Sequence, residues 1–496
     1  MEQRTVIVVG GGLAGPLASL FLARRGYTVE LFERRGDPRR EAVEGGRSIN
    51  LTLAERGLHA LRRLGLEEEV VRTLCTPLRG RAVHRPAGTA VMPYGRLEHE
   101  VLYAVSRAEL TRYLLGVAAA EQGVRLHFHQ QCDELDRDTA AATFLDVRTG
   151  ERRRWRAGFV VGADGVYSAV RRQMQASRYV DFAQYYVPWR YKELTIAAGS
   201  GFDRNALHVW PRGERMMFAI PNRDGSFNGV CVLPEDGPDS FATLHTPDAV
   251  RAFFERDFAD AVPHLPDLEA EFLGRPEAAF PTVKTSAWRH RDRVVLIGDA
   301  CHGVIPFYGQ GMNAAFEDCV ILDEHLARYP DREAAFEAYE RTRRPDTDAL
   351  ADLCVQNFTE LRDTVQRPRV AAAKQVALLA NRVLGDRAMP LYTMVSHSTI
   401  PYADCVRRAR RQERVARLLG ADLAIGAVAA TMVARDRLRA VRPRLAALAR
   451  PARRPAASPA SAASPAARPA RLSVAAAAAA PAAAGKGESR DTRAAA

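Results

Sequence analysis

The sequence predicts an α/β fold, in which a parallel-sheet domain is interrupted by a mainly β region and followed by a helical C-terminal part. Three observations support this prediction. The chain begins with an apolar run at Thr5–Val9, a glycine-rich turn and an apolar-periodic segment, which is how a βαβ unit begins. Short apolar runs dominate residues 179–285, and from residue 312 to about 435 the apolar residues recur at helical spacing.

These patterns divide the 496 residues into four predicted regions. Residues 1–178 and 286–385 together form the parallel-sheet domain, and residues 179–285 form an inserted β-sheet that covers a ligand cavity. Residues 386–436 form C-terminal helices. Residues 437–496 are rich in Ala, Pro and Arg with few large apolar residues, so we predict that this tail is disordered.

The positive charge of the chain is concentrated in the tail. The formal net charge is +12, and residues 437–496 carry twelve Lys or Arg against two Asp or Glu. The rest of the chain is therefore close to neutral, so no nucleic-acid partner is expected for the folded body. A nucleic-acid-binding protein that uses its basic tail is the alternative from another class.

The cysteine and apolar patterns indicate a cytoplasmic protein. The seven cysteines include no C-x-x-C pair, which favours reduced thiols and predicts no metal site. The N-terminus lacks the pattern of a secretory signal. The apolar run 418–433 is 16 residues long, shorter than the roughly 20 needed to span a membrane. We expect a monomer or homodimer with at most a weak membrane association.

The first chemical motif is G-x-G-x-x-G at Gly10, Gly12 and Gly15. Gly10 permits a tight turn, Gly12 lets the backbone approach a pyrophosphate, and Gly15 allows close packing of helix on strand. Glu33 follows Gly15 by 18 residues, at the end of the second predicted strand, where it can accept hydrogen bonds from a ribose. Ala14 and Arg34 belong to the same predicted dinucleotide site.

Two further segments carry an Asp shortly after an apolar run. Asp164-Gly165 follows Phe159–Gly162, and Asp299 follows Val294–Ile297. The second segment continues through Pro306 to Gly311 into a predicted helix, whose N-terminal N–H groups can bind an anionic group. An Asp-Gly pair alone is common in ordinary turns. The chain contains no second G-x-G-x-x-G, which argues against a reductase with two dinucleotide-binding domains.

Taken in order, the three segments resemble the aromatic hydroxylase family of flavoprotein monooxygenases. The resemblance implies a Rossmann-like FAD-binding domain, in which Asp299 contacts the ribityl chain and Met312 and Asn313 offer backbone groups to the isoalloxazine. It places Asp164 near both FAD and the approach of NAD(P)H. It adds further FAD contacts at three positions, namely Arg107, Cys132 and, as a weaker candidate, Arg47.

Five further sequence segments narrow the resemblance to the kynurenine 3-monooxygenases within that family. They are residues 46–51 (GRSINL), 186–188 (YVP), 193–196 (ELTI), 207–212 (LHVWPR) and 390–395 (PLYTMV). This resemblance implies hydroxylation of L-kynurenine to 3-hydroxykynurenine through a flavin C4a-hydroperoxide, with bound FAD and with NADPH and O₂ as co-substrates. A flavin-dependent reductase on the same fold is the alternative that does not consume O₂.

The resemblance also predicts substrate contacts, although no acid or base catalyst is assigned. It places Arg81, Tyr94, Asn357 and Tyr392 at the amino-acid end of the substrate. The fork of an arginine suits a carboxylate, and a tyrosine hydroxyl adds a donor. The predicted ring pocket comprises Pro306, Phe307 and Tyr308 with, from the inserted sheet, Phe218, Ile220 and Phe227.

The chain departs from the family pattern around the ring. Val230 and Val232 stand where the family has a Thr-rich strand ending in an aromatic residue, and Tyr308 stands where Phe is usual. The alternative substrate is therefore a substituted kynurenine or a related aryl amino acid. His302 has no obvious paired ligand in the sequence, so we predict a structural histidine.

Overall fold

The computed structural model describes residues 4–41, 49–86, 88–94, 100–176, 179–364, 368–418, 425–426 and 428–431. All of these belong to one unit, residues 1–440. The predicted tail 437–496 and the candidate Arg47 lie outside the described residues. None of the helices in the described ranges is long and apolar enough to cross a membrane.

The strands in chain order are β1 Thr5–Val9, β2 Thr28–Phe32, β3 Asn50–Leu53, β4 Cys75–Leu78, β5 Gly80–Arg85, β6 Gly88–Pro93, β7 Leu102–Ser106, β8 Val124–His127, β9 Gln130–Asp136, β10 Ala141–Asp146, β11 Arg152–Arg156, β12 Phe159–Gly162, β13 Phe182–Ile196, β14 Ala206–Arg212, β15 Arg215–Pro221, β16 Phe227–Pro234, β17 Ala278–Thr285, β18 Arg289–His290 and β19 Val294–Leu296.

The α-helices in chain order are α1 Ala14–Arg24, α2 Glu55–Arg63, α3 Glu67–Leu74, α4 Arg107–Ala120, α5 Ala169–Met174, α6 Pro247–Asp257, α7 Leu268–Gly274, α8 Asp299–His302, α9 Gly311–Arg328, α10 Arg332–Thr359, α11 Pro368–Leu384, α12 Leu391–Ser396 and α13 Tyr402–Leu418. The short helix Pro306–Tyr308 precedes α9 and has 3-10 geometry.

The parallel sheet confirms the predicted α/β fold class. Its strand order is β18-β19-β12-β1-β2-β8, and β1 pairs in parallel with both β2 and β12. Val6, Ile7 and Val8 of β1 are completely buried. A strand buried on both faces needs such a continuous apolar run, which explains why the first strand shows no alternation.

Gly10 and Gly15 join β1 to α1 as the motif predicts. Gly10 has a φ of +108°, a backbone conformation that side chains disfavour. A Cβ on Gly15 would lie 1.9 Å from the carbonyl oxygen of Gly10. Only glycine therefore allows α1 to begin this close to the end of β1.

The seven-stranded sheet has the order β17-β13-β16-β15-β14-β5-β6. Five of its strands come from the predicted region 179–285, whereas β5 and β6 come from residues 80–93, so the sheet extends beyond the predicted segment. Helices α6 and α7 cover one face with an aromatic core that includes Phe254 and Phe272. The opposite face points towards the parallel-sheet region.

Candidate active site

A cavity of about 740 Å³ lies where the carboxyl ends of the parallel strands meet the uncovered face of the seven-stranded sheet. Its wall includes residues within three positions after the ends of β1, β2, β12 and β19, namely Gly10, Glu33, Asp164 and Asp299. Ligands of open parallel sheets bind at this edge, and the volume lies within the roughly 300–1,000 Å³ typical of ligand sites.

Most of the predicted site residues line this one cavity. They are Gly10, Gly12, Ala14, Glu33, Arg34, Arg81, Tyr94, Arg107, Cys132, Asp164, Asp299, Pro306, Phe307, Tyr308, Met312 and Tyr392. The fold thus brings together residues that are more than 380 positions apart in the chain.

The glycine turn offers an open backbone surface to the cavity. A Cβ added to Gly12 would meet nothing within 4 Å, which leaves room for a ligand to approach the main chain. The N-termini of α1 and α9 both face the cavity through Ala14 and through Gly311. Two helix N-termini provide N–H groups and positive potential for a diphosphate and for an electron-rich heterocycle.

Glu33 is ionised and held in place at the end of β2. Its Oε2 accepts from the backbone N of Gly11 at 2.7 Å, and its Oε1 accepts from Arg35 Nε at 2.7 Å. Burial raises the pKa of Glu33, but the hydrogen bonds and charge of Arg35 outweigh it and hold the pKa below the ordinary value. A fixed carboxylate at this position can accept hydrogen bonds from the hydroxyl groups of a ribose.

Asp164 shapes the second loop of the cavity. Its carboxylate accepts from Ser168 Oγ, from Ala169 N at 2.7 Å and from Val170 N at 3.1 Å. Burial raises the pKa of Asp164 despite these hydrogen bonds. The loop that begins at Gly165 is therefore anchored to the first turn of α5.

Asp299 begins α8, and its carboxylate has no hydrogen-bond or ion-pair partner among the described residues, although it lines the cavity. A hydrogen bond to Asp318 holds the N-terminus of α8 in place. Gly298 N donates to Asp318 Oδ2 at 2.8 Å, and Asp318 Oδ1 accepts from Arg343 Nε at 2.8 Å. A free carboxylate on a fixed helix is suited to the hydroxyl groups of a ribityl chain.

His302 lies beside two side chains that could act as metal ligands, which the sequence did not reveal. Its ring lies with the Cys301 thiol and the Asp318 carboxylate, and the three potential ligand atoms fall within 4.8 Å of one another. Asp318 is however bound to His302 Nε2 and to the buried guanidinium of Arg343. These two groups hold the pKa of Asp318 low although burial raises it. The arrangement therefore supports a structural role for His302.

Asn313 and Gly15 do not line the cavity and lie behind its wall. The buried Asn313 side chain accepts from Ala54 N at 2.8 Å and donates to the carbonyls of Thr52 and Gly309, both at 2.9 Å. It thereby joins β3 to the turn before α9. Its predicted contribution through the backbone stays a prediction.

Arg81, Tyr94 and Tyr392 form a cluster at one end of the cavity. The Tyr94 and Tyr392 rings stack at 5.6 Å between centroids, and Arg81 Cζ lies 5.8 Å and 5.7 Å from their respective centres. No carboxylate among the described residues pairs with Arg81, and its buried Nε has no hydrogen-bond partner there.

Strand register determines which residues form the floor of the cavity. Arg81 pairs with Leu207, Phe218 with Val230, and Tyr191 with Val232, so the members of each pair share a face. Leu207, Tyr191, Phe280, Val304 and Leu361 also line the cavity and were not predicted. Alternation along β13 and β14 is the signal that could have indicated Tyr191 and Leu207.

Two predicted pocket residues do not line the cavity. Phe227 lies on the other face of β16, in the core under α6 and α7, because it precedes Val230 by three positions and Val232 by five in a two-residue repeat. Asn357 also lies behind the wall, where its Nδ2 donates to the carbonyl of Phe307 at 2.6 Å. The cavity lining therefore includes neither residue, and their assignment as substrate contacts stays a prediction.

The sequence comparisons agree with this geometry. The model of the FAD-binding domain family matches residues 3–353. A kynurenine 3-monooxygenase of Salinispora arenicola is 51% identical over 90% of this chain and 99% of its own length. Another, from Myxococcus xanthus, is 44% identical over 81% of this chain and 87% of its own length.

The chain belongs to the kynurenine 3-monooxygenase family of FAD-dependent monooxygenases. As a member of that family it is an oxidoreductase with FAD as its cofactor. Gly12, Glu33, Asp299 and the N-terminus of α9 are the groups that would hold FAD. Gly12 leaves its backbone open to the cavity, Glu33 offers a carboxylate held in place, and the Asp299 carboxylate is unpartnered among the described residues.

Solved structures share the fold of this monooxygenase. 2-Methyl-3-hydroxypyridine-5-carboxylic acid oxygenase superposes with a TM-score of 0.59 at 22% identity, over 74% of this chain and 94% of that protein. P. aeruginosa PqsL, solved with 2-aminobenzoylacetate, gives a TM-score of 0.60 at 22% identity, over 72% of this chain and 96% of its own. At 22% identity, the similarity to these two structures establishes only a shared fold.

Proposed function

We propose that this FAD-dependent monooxygenase hydroxylates L-kynurenine to 3-hydroxykynurenine and consumes NADPH and O₂. The observation that carries the proposal is the half-buried Arg81 between Tyr94 and Tyr392, which has no carboxylate partner and whose buried Nε has no hydrogen-bond partner among the described residues. A buried cation without a counter-ion is costly unless a ligand supplies the anion. The carboxylate of an amino acid is such an anion, and the names of the relatives indicate which amino acid.

The rest of the cavity suits an aryl side chain. From Arg81 the floor continues through the apolar side chains of Leu207, Phe218 and Val230. Phe307 and Tyr308 form the wall above them, and Phe307 packs 5.2 Å from the ring of Phe280. An aromatic ring bound at its charged end by Arg81 would lie against these residues with water excluded.

The protein residues position the ring, and the cofactor supplies the oxygen chemistry. Bound FAD activates O₂ once it is reduced. The amino group of an aniline ring already activates the neighbouring ring carbon, so no strong protein base is required. The task of this chain is to hold the ring at a fixed distance from the cofactor and to keep water away.

The proposal is tested by an aerobic reaction of the purified holoenzyme with NADPH and L-kynurenine. We expect a product heavier by one oxygen atom that co-elutes with 3-hydroxykynurenine, with NADPH and O₂ consumed in equal amounts. NADPH oxidation that yields only H₂O₂ would contradict L-kynurenine as the substrate. Oxidation of NADPH without O₂ uptake would instead indicate a reductase.

A substituted kynurenine is the second candidate, because Val230 and Val232 line the ring end of the cavity with short side chains. Tyr191 lies opposite Val232 in the register and lines the same cavity. Parallel assays with L-kynurenine and with ring-methylated and ring-hydroxylated kynurenines separate the two candidates. Better coupling of NADPH oxidation to hydroxylation with a substituted ring would favour the second.

A further inference from the structure

The buried Arg56 joins α9, at the predicted cofactor end of the cavity, to the C-terminal helices. The residue belongs to α2 and is 1% exposed. Its Nε donates to the carboxylate of Glu317 in α9 at 3.1 Å. Its Nη1 donates to the carbonyl of Val395 at 2.6 Å, and its Nη2 donates to that of Ile400. One guanidinium therefore connects three segments that are far apart in the chain.

Tyr402 extends this connection to the start of α9. Its ring lies against the Arg56 guanidinium, whose Cζ is 3.8 Å from the ring centre. Its hydroxyl donates to Gln310 Oε1 at 3.1 Å, and both residues are buried. Gln310 directly precedes α9, whose N-terminus faces the cavity. A cation over the ring face and a hydrogen-bonded buried hydroxyl together favour one position of this tyrosine.

The two carbonyls that Arg56 binds lie beside Tyr392. Val395 is in the last turn of α12, and Ile400 is in the connection between α12 and α13. The last C=O groups of a helix have no partner within the helix, so Arg56 satisfies one of them. Tyr392 is in the same short helix, lines the cavity, and stacks on Tyr308 with 5.7 Å between ring centres.

A second buried arginine, Arg343, continues the network to α13. Its Nη1 donates to Glu317 and to Asp346, both at 2.8 Å. Asp346 Oδ1 accepts from the backbone N of Ala403, at the start of α13, at 2.8 Å. A buried ion pair is often no more stabilising than apolar side chains of the same volume, so stability alone does not account for this network. Its directional bonds to Arg56 and Arg343 instead fix one arrangement of the helices.

We propose that Arg56 is a positioning residue for hydroxylation. It fixes α12, and with it Tyr392, relative to the N-terminus of α9 that would hold the flavin. Arg56 is not part of the cavity lining, so it acts through the carbonyls of α12 and through Tyr402. A displacement of this wall would change the distance between substrate ring and cofactor, and small misplacements of reacting groups lower the rate strongly. The inference rests on the proposed function.

The test compares the holoenzyme of Arg56→Lys with the wild type. Lysine keeps the positive charge beside Glu317 but lacks the guanidinium fork that also reaches the two carbonyls. We expect KM for L-kynurenine to rise by about two- to tenfold, the range for loss of one hydrogen bond. A larger fraction of NADPH should yield H₂O₂, with FAD content unchanged. Hydrogen–deuterium exchange of the α12 amides should become faster.

Arg332→Lys is the matched control. Like Arg56, Arg332 donates to two backbone carbonyls, those of Asp292 and Gly158, and to one carboxylate, that of Asp292. Its Cζ lies 5.1 Å from the centre of the Phe159 ring. None of these contacts involves α12 or α13. The control should lower the unfolding temperature but leave KM, the H₂O₂ fraction and α12 exchange unchanged.

Two results would overturn the inference. One is an Arg56→Lys enzyme with a lowered unfolding temperature but wild-type KM, H₂O₂ fraction and α12 exchange, which would show a purely structural role. The other is an equal rise in KM and in the H₂O₂ fraction for Arg332→Lys, which would show a general effect of lost stability.

Tyr402→Phe tests the same connection with a smaller change, and decides the matter if Arg56→Lys does not fold. It keeps the ring against Arg56 and removes only the hydrogen bond to Gln310. We expect a raised H₂O₂ fraction with a smaller effect on KM, and a wild-type H₂O₂ fraction would contradict the connection. Failure of the wild type to hydroxylate L-kynurenine would contradict the proposed function, whereas unchanged α12 exchange in both variants would contradict the inference.

Discussion

The side-chain amide of Asn357 donates a hydrogen bond of 2.6 Å to the backbone carbonyl of Phe307. This bond attaches the end of α10 to the short helix Pro306–Tyr308, whose side chains form the upper wall of the cavity. Phe307 is further fixed by the ring of Phe358, 4.6 Å away on the same helix as Asn357. The position of the aromatic wall therefore depends on α10 as well as on its own turn.

Removing this hydrogen bond should loosen the wall without removing a substrate contact. Loss of one neutral hydrogen bond costs about 0.5–1.5 kcal/mol. For Asn357→Ala we expect a modest rise in KM for L-kynurenine and a larger fraction of NADPH diverted to H₂O₂, with FAD retained. The ratio of H₂O₂ to hydroxylated product measures this effect. A KM increase of a hundredfold with unchanged coupling would instead show that Asn357 contacts the substrate directly.

Arg81→Ala should impair substrate binding far more than cofactor binding. A hydrogen bond to a charged group contributes about 1.5–3 kcal/mol, so KM for L-kynurenine should rise by about 10- to 150-fold. FAD content should not change, because Arg81 lies at the Tyr94 and Tyr392 end of the cavity. Steady-state kinetics and the flavin absorbance of the purified variant measure the two effects.

Arg81→Lys is the matched control for charge. Lysine keeps the positive charge but lacks the guanidinium fork, so we expect an intermediate KM. Equal KM values for wild type and Arg81→Ala would rule out Arg81 as the carboxylate-binding group.

Alanine substitutions of two glycines in the same motif should impair different properties of the protein, FAD binding in one case and stability in the other. Gly12→Ala adds a methyl group that meets nothing within 4 Å in the protein itself, so the chain should fold normally but bind FAD weakly. Gly15→Ala places a methyl group 1.9 Å from the Gly10 carbonyl, so this variant should lose stability even without cofactor. Thermal unfolding of the apoproteins and FAD titration separate the two outcomes. Normal FAD affinity in Gly12→Ala would contradict the assignment of this turn to the cofactor.

Val230→Phe should narrow the ring end of the cavity. Val230 lies opposite Glu193 and Phe218 in the register and is partly exposed to the cavity. Overpacking typically costs about 1–3 kcal/mol. We expect kcat/KM to fall more for ring-substituted kynurenines than for L-kynurenine. An equal loss with both substrates would show that Val230 does not face the ring substituent.

Local features of the sequence were sufficient to predict which residues line the cofactor-binding end of the cavity. A strand, a glycine turn and a helix follow one another within about twenty residues, and the spacing from Gly15 to Glu33 places the carboxylate at the end of the neighbouring strand. Asp164 and Asp299 likewise lie two and three positions after the ends of their strands. Such motifs can be recognised because the residues that meet in space are also close in the chain or occupy the same position after parallel strands.

The substrate-binding end was decided by tertiary structure. The two-residue repeat of β16 separates Phe227 from Val230 and Val232, but only packing under α6 and α7 determines which of the two faces is covered. Arg81 lies opposite Leu207, 126 positions later in the chain, because β5 pairs with β14. Pairing between distant strands fixes which side chains share a cavity, and no local pattern records that pairing.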